Sequence, residues 1–387
     1  MSDAAMSPLI QAARDLKPRI RELAPQIEAA RALPRELVAA MRDAGLFHLT
    51  VPKELGGREA DPLTLGTVIE EVASADGSAG WCIMIAAQNA AFSGFMERET
   101  AATIFSGGGI LAGVARPIGR AVPASHGGYT VSGRWPFASG SSHAGWFAAE
   151  CLVFDGDGKE PRRDELGNPV SYMAFVPADQ VTVHDTWHTL GLRGTASNDF
   201  SIEGATVTGA FAMKMFPEPW HAWPFYRTLS LMFITHGSHA LGVAQATVDS
   251  TIGMAKTKIG WGTDRPIAEG TRLQHTIADA LVTIAAGREH MYGSAQRLWD
   301  AAERGAPLGK LNGRVRLATS YAATSSMRAV ELCYASMATS AIFAKSPLDR
   351  QFRDMRTAAA HVMVGPLTYE AAGRVELGLP AGMAFFD

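Results

Sequence analysis

Apolar residues recur at three- and four-residue spacing through the first hundred positions. Ile10, Ala13, Leu16, Ile20 and Leu23 form one stripe after Ser7-Pro8, a cap residue followed by proline at the first helical position. Pro34 opens a second helix, with Val38 and Met41 inside it and Gly45 closing it. Asp61-Pro62 repeats the cap signature before Leu65, Val68, Ile69 and Val72, and Gly77 ends that run. The stretch 78–95 is apolar on most faces, which predicts a buried helix. Between Leu111 and Val207 the period shortens, and glycine, proline and β-branched residues rise. Short strands are predicted at 129–132, 146–154, 170–176, 181–185 and 200–207, separated by turn clusters at 126–128, 155–158 and 167–169. After Pro217 the helical period returns over 226–257, 271–302, 308–343 and 347–373, with breaks at 260–262, 305–307 and 346–347.

This order predicts an α+β multidomain chain. An N-terminal helical domain covers 1–112, a central antiparallel β-barrel or sheet domain 113–215, and a C-terminal four-helix bundle 216–387. The 387 residues suit two or three modules. Lys and Arg number 35 against 38 Asp and Glu, a formal charge of −3, so no basic stripe marks a nucleic-acid partner. No run approaches the roughly 18 apolar residues of a membrane span, and the first twenty residues lack the pattern of a secretory signal. Cys82, Cys151 and Cys333 are far apart and form no C-x-x-C, which excludes a disulfide framework and a cysteine zinc site. A cytoplasmic protein with no membrane partner and no metal is expected.

Several familiar motifs fail their context. Gly107-Gly108-Gly109-Ile110-Leu111-Ala112 loosely matches a dinucleotide fingerprint, but a helix precedes it, strands follow, and 129–135 holds no acid. His236 and His239 lie three apart on a predicted helix without the spacing or glutamate of a zinc protease, and are expected as packing histidines. No G-x-S-x-G elbow and no phosphate-binding G-x-x-x-x-G-K-[ST] loop occurs.

Four segments fit one pattern: Val51-Pro52-Lys53-Glu54-Leu55-Gly56-Gly57; Gly133-Arg134-Trp135-Pro136-Phe137-Ala138-Ser139-Gly140 with Trp146 beyond; Gly191-Leu192-Arg193-Gly194-Thr195-Ala196-Ser197-Asn198-Asp199-Phe200; and Phe352-Arg353-Asp354-Met355-Arg356 before His361 in the last long helix. With the helix–β–helix order they resemble the acyl-CoA dehydrogenase superfamily over nearly the whole chain. The resemblance is closest to its flavin-dependent monooxygenase branch, the oxygenase halves of two-component aromatic hydroxylases. The Pro117-Ile118-Gly119-Arg120-Ala121 loop before Gly127-Gly128-Tyr129 also resembles that branch.

The resemblance implies a chemistry. Reduced FMN or FAD from a separate NAD(P)H:flavin reductase would react with O2 to a C4a-hydroperoxyflavin, which passes one oxygen atom to a small aromatic or heteroaromatic substrate. It implies a homotetramer and gives Ser139 and His361 the catalytic roles: Ser139 as a hydroxyl at flavin N5 and His361 as a hydrogen-bond or proton-transfer group. Trp135, Phe137, Ser139, Gly140, Arg193 and Arg265 would bind the cofactor, the last near a flavin phosphate with Gln274 beside it. Trp81 and Asn89, eight apart on the buried helix, and Trp223 in the aromatic run 220–226 would line the substrate pocket. Asparagine at 89 replaces the branch's usual histidine and cannot act as a base, which opens indoles, other heteroaromatics, amines and sulfur compounds as substrates. The rival reading is an acyl-CoA dehydrogenase, which needs a carboxylate base. Neither 360–365 nor 226–231 supplies one, and Glu370 falls two turns late. A non-catalytic protein that kept the fold is the remaining alternative.

Overall fold

A computed structural model describes residues 7–383 and Phe386, apart from positions 126 and 157. The turn clusters expected at 126–128 and 155–158 therefore each include a residue, His126 and Asp157, outside the described ones. Helix α1 (Pro8–Ala30) begins on its proline and buries Ala13, Ile20, Ala24 and Ile27. Helix α2 spans Arg35–Asp43. Helix α3 (Pro62–Ala73) is capped as its sequence predicts: Asp61 Oδ1 accepts the N–H groups of Leu63 and Thr64, each at 3.0 Å. Helix α4 (Gly77–Ala90) starts on buried Asp76, whose Oδ1 accepts from Ala79 N at 3.0 Å. It is buried on nearly every face, because the strand 111–123 lies on one side and the later helices 234–257 and 347–358 on the other. Helix α5 (Arg98–Phe105) leads into the sheet. Gly107 and Gly108, at φ 81° and 88°, make the turn, so the glycine run links helix to strand as its context required.

Seven strands form one open, mixed sheet in the order β5-β6-β2-β1-β3-β4-β7. They are β1 (Leu111–Pro123), β2 (Tyr129–Ala138), β3 (Trp146–Val153), β4 (Ser171–Pro177), β5 (Thr182–His184), β6 (Asn198–Val207) and β7 (Ala212–Lys214). Two expectations are corrected here. The sheet does not close into a barrel, and it is not purely antiparallel, since β1 runs parallel to β3. The 117–121 segment is not a loop but part of β1. Gly113, Pro117 and Gly119 mask it in the sequence, and a register shift between Val114 and Gly119 absorbs the irregularity.

The C-terminal helices are α6 (Ile234–Thr257), α7 (Thr271–Glu303), α8 (Leu311–Ser336), α9 (Pro347–Ala358) and α10 (Pro366–Glu376). Helices α6 to α9 pack as a bundle, and their core is continuous with that of α1–α5. The sheet has a separate core around Trp135, Phe147 and Phe200. Three predicted helices are shorter than expected, one of them α8, which ends at Ser336 where the expected helix runs to 343. Residues 224–233 form 3₁₀ turns ahead of α6. The last long helix breaks at 359–365, where Pro366 starts a new helix and cannot continue the old one. His361 therefore sits in a link, not in a helix. It caps a 3₁₀ turn, its Nδ1 accepting from Met363 N at 3.3 Å. No described helix is long and apolar enough to cross a membrane.

Candidate active site

Trp81 stands where the sheet meets the bundle. Its indole Nε1 donates to Ser139 Oγ at 3.0 Å. The other side of the ring meets three imidazoles edge-on: His239 at 5.2 Å, His236 at 5.7 Å and His361 at 5.7 Å between centroids. His236 and His239 come from α6, and His361 from the α9–α10 link. Ser139 follows β2 through a backbone that few side chains tolerate: Phe137 has φ 68° and Gly140 φ 79°. Gly140 N is fixed by Thr195 O at 2.8 Å, and Leu192 and Ala196 in that facing turn also have positive φ, 51° and 43°. Three non-glycine residues in the left-handed region thus flank one hydroxyl, the kind of local strain that marks functional sites.

The hydrogens around Ser139 can be assigned. Ser139 Oγ lies 2.7 Å from Ser197 Oγ, Ser197 Oγ lies 2.6 Å from Thr195 Oγ1, and Thr195 Oγ1 donates to Leu192 O at 2.8 Å. An indole N–H can only donate and a carbonyl can only accept. Four hydrogens must therefore fill four contacts in one direction: Trp81 to Ser139, Ser139 to Ser197, Ser197 to Thr195, Thr195 to Leu192. Any reversal leaves two oxygens in short contact with no hydrogen between them. Ser139 has consequently spent its proton and one lone pair, and offers a single remaining lone pair. It is an acceptor.

The imidazoles are held neutral. Burial pulls His239 and His361 down to about 4 and His236 well below its usual value, and the Arg316 guanidinium on α8 pushes His236 and His361 the same way. His239 Nε2 meets Gly77 O at 2.8 Å. His236 has no hydrogen-bond partner at either ring nitrogen, although it is 3% exposed and lies 4.4 Å from the His361 ring. With Trp81, Ala323, Met355 and Val364 it lines a narrow cavity.

Two buried acids brace the site from behind. Asp354 Oδ1 accepts from Leu192 N at 2.6 Å and so anchors the turn that carries Thr195 and Ser197. Burial, with Asp76 nearby, raises Asp354 to about 7, and Arg350 lies 3.8 Å from Asp76. Arg353 holds Leu190 O at 2.9 Å and Glu28 and Asp349 each at 2.7 Å. The Arg-Asp pair of α9 is therefore a fastener for the 190–197 turn.

The structure brings Ser139, His361 and Trp81 together and disperses the other expected residues. Trp135 is fully buried in the sheet core, stacked on Phe200 at 5.1 Å with Nε1 on Glu150 O at 2.8 Å, so its ring faces no ligand. Phe137, two residues on, would share the face of Trp135 on a regular strand, but the register shift between Trp135 and Ala138 and its own φ of 68° turn it out to 66% exposure, which makes it the ring available to a flat cofactor. Asn89 donates to Leu111 O at 3.1 Å and ties α4 to β1. Trp223 is buried, stacked on Phe225 at 4.7 Å and edge-on to Trp299 at 6.1 Å, which makes the aromatic run packing. Arg193 is exposed, 3.8 Å from Glu28 and bonded to Thr189 O at 2.9 Å. Arg265 is 76% exposed and lies past the far end of α6, whose 24 residues cover about 36 Å. Gln274 holds Ala268 O at 3.1 Å.

Sequence reasoning passed over four contributors. His236 was expected to pack, and its phase on α6 gives no sign that both nitrogens lack partners. Thr195 and Ser197 lay in a recognised segment without a role. Arg316 was not singled out, although its position among the apolar Val315, Ala318 and Ala322 could have marked it.

A reduced flavin suits these residues. An exposed ring, a lone-pair acceptor beside it and neutral imidazoles opposite match the flat face and N5–H edge of that cofactor. No cluster of metal-type ligands occurs among the described residues. The acyl-CoA dehydrogenase N-terminal domain family matches residues 9–98 and the acyl-CoA dehydrogenase C-terminal domain family residues 234–366. The indole-3-acetate monooxygenase of Pseudomonas putida is 29% identical, over 97% of this chain and 94% of that one. The indole-3-acetate monooxygenase of Acinetobacter baumannii is 26% identical, over 93% and 92%. Among solved structures, XiaF from Streptomyces in complex with FADH2 and glycerol superposes with a TM-score of 0.87 at 24% identity, over 97% of this chain and 96% of that one. The chain belongs to the acyl-CoA dehydrogenase superfamily, among its flavin-dependent monooxygenase oxygenase components.

Proposed function

We propose that the chain is the oxygenase half of a two-component monooxygenase. It takes reduced FMN or FAD from a separate NAD(P)H:flavin reductase and places one atom of O2 into a small aromatic or heteroaromatic substrate. The other atom leaves as water, and the flavin supplies both electrons. The single observation that carries this reading is the one-way hydrogen-bond chain that leaves Ser139 an acceptor beside exposed Phe137.

When bound, the reduced flavin supplies the electrons that activate oxygen. The protein's part follows from its own groups. Ser139 accepts from N5–H and keeps that proton in place, which is the polarity needed to suppress wasteful release of hydrogen peroxide. Phe137 gives the flat ring a wall. Trp81 positions Ser139 and closes the site against water. Neutral His361, with His236 beside it, receives or donates a proton at the substrate side. Asn89, engaged with Leu111 O, leaves phenol deprotonation without its usual base.

The dehydrogenase alternative lacks its base. Glu370 is exposed on α10, and the buried acids Asp76 and Asp354 are committed to a helix cap and a turn. A homotetramer belongs to the same proposal. Arg265 lies about one α6 length from Ser139, beside fully exposed Trp261, and would reach a flavin phosphate only from a second subunit.

Anaerobic titration tests the reading. Reduced flavin should bind more tightly than oxidised flavin, and NADH should stay unconsumed until a reductase is added. Absence of binding to either flavin form, or rapid NADH oxidation by the chain with flavin alone, would refute it.

A further inference from the structure

Arg316 is fully buried on α8, yet no carboxylate among the described residues pairs with it. Among the described residues its Nη2 reaches only the thioether of Met363, at 3.4 Å, and Nε and Nη1 have no hydrogen-bond partner. The guanidinium lies over the Phe233 ring at 3.6 Å and near Phe386 at 5.1 Å. Burial lowers its pKa to about 9, so it remains a cation at neutral pH. Two aromatic faces soften its isolation but do not satisfy its N–H groups. A buried charge without a counter-ion is strongly unfavourable and calls for an explanation.

Two further unpartnered groups lie near it. Ser320, one turn along α8, is fully buried and its Oγ has no partner. His236 on α6 has none at either nitrogen. Positions 316, 320 and 323 share one face of α8, and Ala323 lines the cavity beside Trp81 and His236. A cation and a hydroxyl thus lie on the helix face that reaches the cavity, Arg316 about 10 Å along the axis from Ala323, although neither lines the cavity itself. The rest of the cavity wall is apolar, and since the closed cavity has room for little more than a water, a ring enters only as those walls part.

From this juxtaposition we propose that Arg316, assisted by Ser320, receives the carboxylate of an aromatic acid whose ring lies beside Trp81. The subsite rests on the oxygenase reading and names its substrate class: a planar ring bearing a short carboxylate side chain. The free N–H groups of Arg316 supply the charge-assisted bonds, and Ser320 adds a neutral donor. Neutral His236 is left to meet a polar group of the ring itself. The substrate thereby supplies the counter-ion that the described residues do not.

The test compares an acid with its neutral isostere. Binding of indole-3-acetate and indole-3-acetamide is measured by calorimetry on the full chain, with and without reduced flavin under anaerobic conditions. The parent should prefer the acid by roughly 10- to 100-fold. Arg316→Met should bring that ratio to about one while leaving flavin affinity unchanged, and Ser320→Ala should lower it less. Arg316→Met should also raise the melting temperature of the ligand-free chain, because it removes an unpaired buried charge; a purely structural arginine would lower it. A parent that binds flavin but treats acid and amide alike overturns the subsite, whether or not the variant folds. An Arg316→Met chain that keeps the acid preference overturns it too. A parent that takes up no flavin yet prefers the acid refutes the oxygenase reading and leaves the subsite standing.

Discussion

The Trp81 indole N–H lies 3.0 Å from Ser139 Oγ and joins a helix buried between two domains to the hydroxyl at the edge of the sheet. That bond takes one of the two lone pairs of Ser139 and leaves the other for a ligand. Ser139→Ala removes the acceptor with almost no change of volume. Loss of one such bond costs about 0.5–1.5 kcal/mol, so hydrogen peroxide released per product formed should rise roughly two- to tenfold. Trp81→Phe keeps most of the ring but not the donor, and should raise the leak less. A peroxide assay beside product analysis reads both. An unchanged ratio in Ser139→Ala would remove this residue from the chemistry.

Ser197→Ala separates polarity from presence. Ser139 keeps its hydroxyl in this variant but loses the acceptor of its proton, which becomes free to turn toward the ligand. Oxidised flavin offers a lone pair at N5 and reduced flavin a hydrogen. The variant should therefore gain affinity for oxidised relative to reduced flavin, by roughly tenfold if one hydrogen bond reverses. Equilibrium titration of both forms measures it. A ratio equal to the parent's would show that the chain 195–197 does not set the direction of Ser139.

His361→Asn keeps polarity without a proton-transfer group. The variant should bind flavin like the parent and form product at least tenfold more slowly, without the peroxide leak of Ser139→Ala. In the parent, burial holds His361 neutral down to about 4, so this group should cause no loss of rate between pH 8 and pH 5. A rate that falls on an apparent pKa near 6.5 in the parent and loses that step in His361→Asn would contradict the assignment.

Much of the scaffold is legible because its signals are local. The Ser7-Pro8 and Asp61-Pro62 starts of α1 and α3 are set by adjacent residues, and the short apolar runs of β3, β4 and β6 bounded by turn residues can be read without knowing their partners. The misses need tertiary context. Strand β1 is rich in glycine and proline and is made a strand by its neighbours β2 and β3. The break before Pro366 was signalled, but the residues on either side keep a helical phase. In the site, a pattern of residue types singles out Ser139 and His361, which the structure brings together at Trp81. The direction of the Ser139 bond, the isolation of His236 and the missing counter-ion of Arg316 are properties of assembled neighbours. Trp135 and Phe137 illustrate the limit: two positions apart, they would share a face on a regular strand, and only the assembled sheet shows the register shift that leaves one buried and the other exposed.

Asp354→Asn should change how stability depends on pH. Burial, with Asp76 beside it, raises the folded-state pKa of Asp354 from its ordinary 3.8 to about 7. The folded chain thus holds this proton where the unfolded chain has lost it, and stability contributed by the protonated form declines as pH rises from about 4 through 7. Asparagine stays neutral and can still accept from Leu192 N. The variant should match the parent near pH 4 and exceed it by roughly 1–4 kcal/mol near pH 8. Taking the difference between the two proteins cancels the buried histidines, which act in the opposite sense. Denaturant unfolding at the two pH values checks it, and a difference independent of pH would contradict the buried-acid role.

The most direct test of an oxygenase is where the oxygen goes. The purified chain, loaded anaerobically with one equivalent of chemically reduced FMN or FAD and an aromatic acid such as indole-3-acetate, is mixed with ¹⁸O2 in the absence of NADH and reductase, and the products are examined by mass spectrometry. One ¹⁸O atom in the aromatic product, with oxidised flavin formed in equal amount, is the expected result. An oxygenated product carrying only ¹⁶O, or complete conversion of the reducing equivalents to hydrogen peroxide with every aromatic ring offered, would contradict it.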